Sequence, residues 1–280
     1  MKSIFLSLIA SLGALTPLAS AQNCDKFETD LIAGQHIAAG EVNVTNSGSH
    51  LRIGIRPEHG WLLEEVHIYA GLDPVPLNGG GRPSPGQFPY KTDYDPPAGR
   101  HVEMIPLADL GTQCGDHLYL AVHCAVVKLD RHGNVIASET AWAFGTPFNK
   151  GWGWFFEYDL CCCNGQPPID LSVGPLQIGR PADFLVTGAQ AGDQVYFFVN
   201  RGLIQCDAGP VLRPFGGLKL DLIAPVYRMG IVDANRLGEA ALQVRVPNRP
   251  ELVGSYLGFQ AAVAAGGSSV KSEALHAIVQ

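Results

Sequence analysis

Alternating apolar and polar positions run through most of the chain and predict β-strands. The clearest case is residues 61–71, WLLEEVHIYAG, where one side is mainly apolar and the other carries Glu65, His67 and Tyr69. A period of two over this length is typical of a half-buried strand, whose successive side chains point to opposite faces. The carboxylate of Glu65 and the imidazole of His67 should therefore project the same way.

The first half reads as a series of short strands. Alternating runs bounded by turn residues predict them at 31–38, 41–45, 51–55, 61–71, 101–106, 117–128, 135–144 and 151–158. The turn sequence DRHGN separates 117–128 from 135–144 and predicts a hairpin. The stretch 72–100 is rich in proline and glycine and predicts a long irregular loop, which its aromatic residues would pack onto the sheet.

The second half continues in the same manner. Its predicted strands are 171–178, 182–187, 194–200, 218–222, 227–232, 240–246, 258–264 and 274–279, and residues 248–253 are the one weak helix candidate. Evenly spaced short strands favour antiparallel sandwiches. We therefore expect an all-β protein of two antiparallel β-sandwich domains, Ig-like or jelly-roll-like. The boundaries are 22–160 and 169–280, joined by a Cys- and Pro-rich linker at 161–168.

Residues 1–21 have the form of a secretory signal peptide. A basic residue, a short apolar core and a small-residue cleavage site, Ala19-Ser20-Ala21, follow one another. No later segment has the length and apolar content of a membrane span. The sequence thus predicts a secreted, extracytoplasmic protein without a transmembrane segment in its mature chain.

Composition narrows the possible partners. The formal net charge is −7, and no basic cluster follows the signal peptide, which argues against nucleic acid as a partner. The 33 glycines and 20 prolines fit a chain of many turns.

Seven cysteines lie beyond the signal peptide, and in an exported protein they are first interpreted as disulfides. Because the count is odd, at least one is free within the chain or pairs with another molecule, and Cys124, inside an apolar strand pattern, is the candidate buried thiol. The run Cys161-Cys162-Cys163 is expected to receive bridges from Cys24 and Cys114, with Cys206 as a further candidate. A metal-thiolate cluster is the alternative, although no C-x-x-C pair accompanies the run.

Two resemblances follow from motifs. The motifs at 61–71, 85–90 (PGQFPY), 114–123 (CGDHLYLAVH) and 139–142 (ETAW) resemble an uncharacterised domain of exported bacterial proteins. The motifs at 191–197, 232–240 and 258–263 resemble a β-sandwich at the ends of exported planctomycete and myxobacterial proteins. The resemblances imply export and an all-β fold, and they imply no activity.

The candidate chemistry lies in the first half. Glu65 and His67 lie on one predicted strand, His123 on a second and Glu139 on a third. Their convergence would suit a divalent metal such as zinc. The same groups would suit acid/base catalysis, or a buried polar network that only ties strands together. We favour the network, because no catalytic spacing is present. Calcium at the acidic turns 93–95 and 233–235 is less well supported, because too few oxygen ligands are in reach.

Aromatic residues supply a second candidate site. Tyr69 and Trp142 join the four acidic and imidazole residues as candidate ligand contacts, and the wider aromatic set could stack on sugar rings. That set is Trp61, Tyr69, Phe88, Tyr90, Trp142, Trp152 and Trp154. Core packing is the more common use of such residues in a β-sandwich. We expect a non-enzymatic binding or cell-surface protein with a carbohydrate or envelope partner, a metal-dependent hydrolase or metal-binding protein as the alternative, and a purely structural protein as the third possibility.

Overall fold

A computed structural model describes residues 24, 26–163, 168–264 and 269–280. The predicted signal peptide and positions 164–167 of the predicted linker lie outside the described residues. We refer to 24–163 as the amino-terminal half and to 168–280 as the carboxy-terminal half. The division of the chain into two domains stays a prediction.

Antiparallel strands account for nearly all regular structure in the described ranges, as the patterning predicted. In the amino-terminal half they are β1 (Phe27–Ala33), β2 (Ile37–Asn46), β3 (His50–Pro57), β4 (Leu62–Gly71), β5 (Tyr90–Ala98), β6 (His101–Pro106), β7 (His117–Leu129), β8 (Val135–Ala143), β9 (Thr146–Pro147) and β10 (Trp154–Asp159). In the carboxy-terminal half they are β11 (Asp170–Val173), β12 (Pro181–Thr187), β13 (Gln194–Asn200), β14 (Val211–Leu212), β15 (Leu218–Lys219), β16 (Tyr227–Asp233), β17 (Ala240–Arg245), β18 (Tyr256–Ala264), β19 (Val270–Lys271) and β20 (Leu275–Ile278). Among the described residues, helical structure is confined to α1 (Leu107–Leu110) and to 3-10 turns at Pro85–Gln87, Arg213–Phe215 and Pro250–Leu252.

The amino-terminal sheet folds around one apolar core. Its strand order is β5-β4-β7-β8-β1-β2-β3-β6, with β10 also paired to β7. Strands near opposite ends of this order share the core: Ile53 on β3 and Ile68 on β4 both belong to it and are fully buried. The two edges also meet, because β5 leads directly into β6 and the Tyr94 hydroxyl lies 2.7 Å from Nδ1 of His101. The sheet therefore has one inner face and one outer face.

The carboxy-terminal half is a sandwich of two sheets. One has the order β11-β12-β17 and the other β16-β13-β18-β19, with β20 also on β18. Phe184 and Phe259 meet across the gap with ring centroids 5.1 Å apart. The all-β fold class predicted from the sequence is confirmed.

The prediction of an irregular loop over 72–100 is wrong for the last third of that range. Residues Tyr90–Ala98 form β5, which pairs with β4. Pro96 and Pro97 argued against a strand here in the sequence. An edge strand such as β5 tolerates proline, because one side of its backbone needs no hydrogen-bond partner from a neighbouring strand. The loop that remains, 72–89, lies against the outer face.

The predicted break between the strands 31–38 and 41–45, at Gly40, is also misplaced. The chain turns at Gly34 and Gln35, both with positive φ, and Gly40 lies inside β2. A Cβ on Gly40 would lie 2.2 Å from the carbonyl oxygen of Arg56 on β3. Glycine is required at this position because two strands approach each other closely. From the local sequence alone, such a glycine was interpreted as a break between strands. The helix candidate at 248–253 is reduced to a 3-10 turn at Pro250–Leu252.

The cysteine run joins the two halves. Cys161 pairs with Cys24 and Cys162 with Cys114, while Cys163 pairs with Cys206 of the carboxy-terminal half. Cys124 is free and buried. The expected disulfide set and the buried thiol are therefore confirmed. Within the described ranges, no helix has the length and apolarity needed to cross a bilayer.

Beside the cysteine run, buried polar groups connect the halves. The backbone N–H of Asn46 donates to Oε1 of Gln205 at 2.9 Å. The Tyr158 hydroxyl is shared between Oδ1 of Asn46, at 2.9 Å, and Oε1 of Gln205, at 3.1 Å. Hydrogen bonds of this kind fix orientation, because a buried group left without its partner carries an energetic penalty.

Candidate functional site

The outer face of β4, β7 and β8 carries most of the predicted site residues. The strand register places His67 opposite His123 and His123 opposite Trp142. Because directly opposed residues point to the same face, these three side chains form one row across the sheet. Lys91 on β5 extends the row on the far side of His67.

The two imidazoles of this row are stacked. Their ring planes lie 5° apart with centroids separated by 5.7 Å, and the His123 ring also contacts the edge of Trp142. Burial, and then the neighbouring His67, lowers the pKa of His123 to about 4. His123 is therefore neutral at pH 7. The Nδ1 atoms of both histidines are buried and have no hydrogen-bond partner among the described residues.

Trp142 belongs to a second apolar core rather than to an exposed contact surface. It is 3% exposed and packs with Phe88, which is fully buried, and with Phe148. The loops 72–89 and 144–153 supply these partners, so they cover part of the outer face. Tyr69 lies at the margin of this core, where its ring contacts Phe88 and its hydroxyl donates to the carbonyl of Asp73.

The four predicted metal ligands are not brought together. Glu65 shares the outer face with His67 but is exposed, and its neighbour on β5 is Asp93. Glu139 is opposite Val126, whose side chain is in the inner core, so it points to the other face of the sheet, where its carboxylate lies near Gly34. Among the described residues, no group of three or more His, Cys, Asp or Glu side chains is placed to hold a metal ion. Trp142 lies three positions after Glu139, and side chains an odd number of positions apart in a strand point to opposite faces.

A ridge of aromatic rings stands on the second core. We call Phe144, Trp152 and Trp154 the aromatic ridge. Trp154 lies 5.4 Å from Phe144 and 6.2 Å from Trp152 between ring centroids. Trp152 in turn contacts the edge of Trp142 at 6.4 Å. Phe144 is 51% exposed and both tryptophans are half-buried, so the ridge is partly open to solvent on a packed base.

The local chain geometry that holds the ridge depends on Gly153. Its φ is +126°, and a Cβ there would lie 2.6 Å from the Trp142 indole. The backbone of residues 152–154 therefore rests directly on the Trp142 ring, which fixes the two half-buried tryptophans of the ridge. The G-W-G-W spacing at 151–154 was the sequence signal for this arrangement. The sequence analysis did not name Phe144 as a site residue. It placed Phe144 inside the predicted strand 135–144, whereas β8 ends at Ala143 and leaves Phe144 in the following loop.

Comparisons with known proteins add no function. No protein-family model matches the chain, and no curated protein matches it. Among solved structures, the FN1–FN3 domains of chicken CNTN1 align at 12% identity, covering 87% of this chain and 67% of that one, with a TM-score of 0.25. Red sea bream transglutaminase aligns at 9% identity with a TM-score of 0.22, covering 88% of this chain. The chain spans 32% of that transglutaminase.

Proposed function

We propose that the protein is an exported binding protein that holds a carbohydrate on the aromatic ridge. The observation that supports this most directly is the contiguity of exposed Phe144 with half-buried Trp152 and Trp154 on a packed base. A sugar ring offers a face of C–H groups, and such a face packs well on the negative face of an aromatic ring. The three disulfides support the exported part of the proposal, because disulfides persist in oxidising compartments.

The surroundings of the ridge favour a polar ligand over a hydrophobic partner. Exposed Asn149 and Lys150 precede Trp152 in the same loop, and Arg82 packs beside Gly151. These side chains offer hydrogen-bond donors on the segment that leads into Trp152 and beside it, as sugar hydroxyls require. A few oriented polar groups around an apolar contact surface are typical of small-ligand sites.

A glycan array, followed by titration of hits through tryptophan fluorescence, tests the proposal. The variant Trp154→Ala should lose binding, whereas Tyr227→Ala, which removes an exposed aromatic from the carboxy-terminal half, should bind as the parent protein does. Pull-down with isolated cell envelopes extends the test to insoluble glycans. No binding in either assay, or equal binding by Trp154→Ala, would overturn the proposal.

A further inference from the structure

A second feature, unrelated to the aromatic ridge, lies between the two halves. Three arginines, Arg52, Arg100 and Arg201, line a cleft of about 230 Å³ together with Tyr94 and Tyr256. The described lining contains no Asp or Glu. This concentration of positive charge is unusual in a protein whose formal net charge is −7.

Arg52 is the buried member of the group. It lies on the outer face of β3, where only 8% of its surface is exposed, and its Nη1 donates to Oδ1 of Asn43 at 2.7 Å. Its Nε is buried without a hydrogen-bond partner in the described ranges. Burial lowers the pKa of Arg52 to about 10, so the guanidinium is still charged at neutral pH. A charged buried group with an unused donor lacks a partner that would offset its desolvation.

The fold makes room for this guanidinium. A Cβ on Gly54 would lie 2.8 Å from Nη1 of Arg52 and 2.8 Å from Oδ1 of Asn43. The arginine therefore lies flat across a strand position that has no side chain. Such a position is held by packing, which pre-organises the donors before any ligand arrives.

The other two arginines come from opposite sides of the cleft. Arg100, in the turn before β6, donates to the Ser255 hydroxyl of the carboxy-terminal half at 3.3 Å. Arg201 is exposed in the turn after β13. Among the described residues, none of the three guanidinium groups is in an ion pair. Glu103, on the same strand as the lining residue His101, lies 3.3 Å from the His101 ring through its carboxylate.

We propose that this cleft is a binding site for a small ligand bearing an oxyanion, a phosphate, sulfate or carboxylate group. Guanidinium groups present paired N–H donors that match the oxygens of such groups. The phenol rings of Tyr94 and Tyr256 form walls for the rest of a ligand of monosaccharide size. Because Arg52 and Arg201 belong to different halves, the bound oxyanion bridges them.

Isothermal titration at constant ionic strength tests the proposal, with inorganic phosphate, sulfate and glucuronate as separate probes and chloride as the reference anion. At least one probe should bind saturably and raise the unfolding temperature. Stronger binding of phosphate or sulfate identifies a tetrahedral group, and stronger binding of glucuronate identifies a carboxylate.

Three variants locate the binding. Arg201→Ala should weaken it about tenfold or more, as expected for loss of a charge-assisted hydrogen bond, while Arg245→Ala, an exposed arginine on β17, should leave it unchanged. Gly54→Ala keeps every charge but displaces the Arg52 guanidinium, so it should weaken binding as well. The proposal fails if no probe binds saturably at millimolar concentration. It also fails if Arg201→Ala and Arg245→Ala change the affinity equally.

Discussion

The imidazole rings of His67 and His123 lie parallel on neighbouring strands, 5.7 Å apart between centroids and 5° apart between planes. The pair borders the second apolar core, and Lys91 on the next strand donates to the backbone carbonyl of Gly86 rather than to either ring. Both rings have a buried Nδ1 without a hydrogen-bond partner among the described residues. A proton added to His123 would place a charge where burial and the neighbouring His67 disfavour it.

Acid should therefore destabilise the protein through His123. Its folded-state pKa is about 4, below the unfolded value of about 6.5. Between these values the unfolded chain binds more protons, so stability rises with pH. The stabilising contribution is present above about pH 6.5 and is lost as the pH falls to 4, a change of up to about 3 kcal/mol. His276, whose pKa burial lowers to about 4 as well, adds in the same direction.

Urea unfolding from pH 7 to 4 measures this contribution. His123→Gln should flatten the pH dependence relative to the parent protein, and His36→Gln, at an exposed position, serves as the control. If His123→Gln keeps the full pH dependence of the parent, the stacked pair is not the source of the acid sensitivity.

Phe88 should be a major contributor to stability although it lies in a loop. It is fully buried among Tyr69, Ala121 and Trp142. Truncation of a buried phenylalanine to alanine typically destabilises a protein by about 3–5 kcal/mol. Phe144→Ala is the matched control, because that side chain is 51% exposed, and it should change stability by much less. Equal unfolding midpoints in urea for the two variants would show that loop 72–89 does not pack as described.

Much of this architecture could be predicted from alternation, and the exceptions have physical causes. Strand β7 and its hairpin with β8 follow from local pattern, and the bridges of the cysteine run follow from cysteine count and export. The burial of Phe88 does not, because it depends on a loop folding back across two strands. Residue faces were predictable too, and Arg52 alternates with apolar neighbours in HLRIGIRP. That Arg52 and Arg201 line the same cleft could not be predicted from the sequence, because it depends on how the halves dock.

Gly153→Ala should disrupt the aromatic ridge. The new Cβ would approach the Trp142 indole to 2.6 Å. The backbone conformation at this position is also one that residues other than glycine rarely adopt. We expect lower stability, by about 1–3 kcal/mol, together with a changed tryptophan near-ultraviolet circular dichroism spectrum. Gly86→Ala, in open space on the neighbouring loop, is the control and should leave the spectrum unaltered. An unaltered spectrum for Gly153→Ala would mean that Gly153 does not rest on the indole.

The interface network should couple the halves. Asn46 accepts from the Tyr158 hydroxyl and the Cys161 N–H, and its amide donates to the Cys161 carbonyl. These side-chain bonds lie within the amino-terminal half, but they position the Asn46 N–H and the Tyr158 hydroxyl, which both bond to Gln205 of the carboxy-terminal half. Asn46→Ala leaves several of these buried groups without a partner and should cost about 2–4 kcal/mol. Asn149→Ala removes an exposed amide and should be close to neutral. Hydrogen exchange locates the effect: protection should fall on both sides of the interface, and a loss confined to β2 would argue against coupling.

Cys124 should be the sole reactive thiol, and only after unfolding. It is fully buried on β7, and burial raises the pKa of its thiol, which disfavours the nucleophilic thiolate. Native protein should therefore show no reaction with a thiol reagent, while protein unfolded without reductant should show one thiol per chain. The other six cysteines would report only after reduction, because each is in a disulfide. A Cys124→Ala variant should show no thiol in denaturant. Any thiol that remains in the Cys124→Ala variant would mean that one of the three disulfides is not formed. Peptide mapping would then begin with the disulfide between Cys163 and Cys206, because it alone among the three joins the halves.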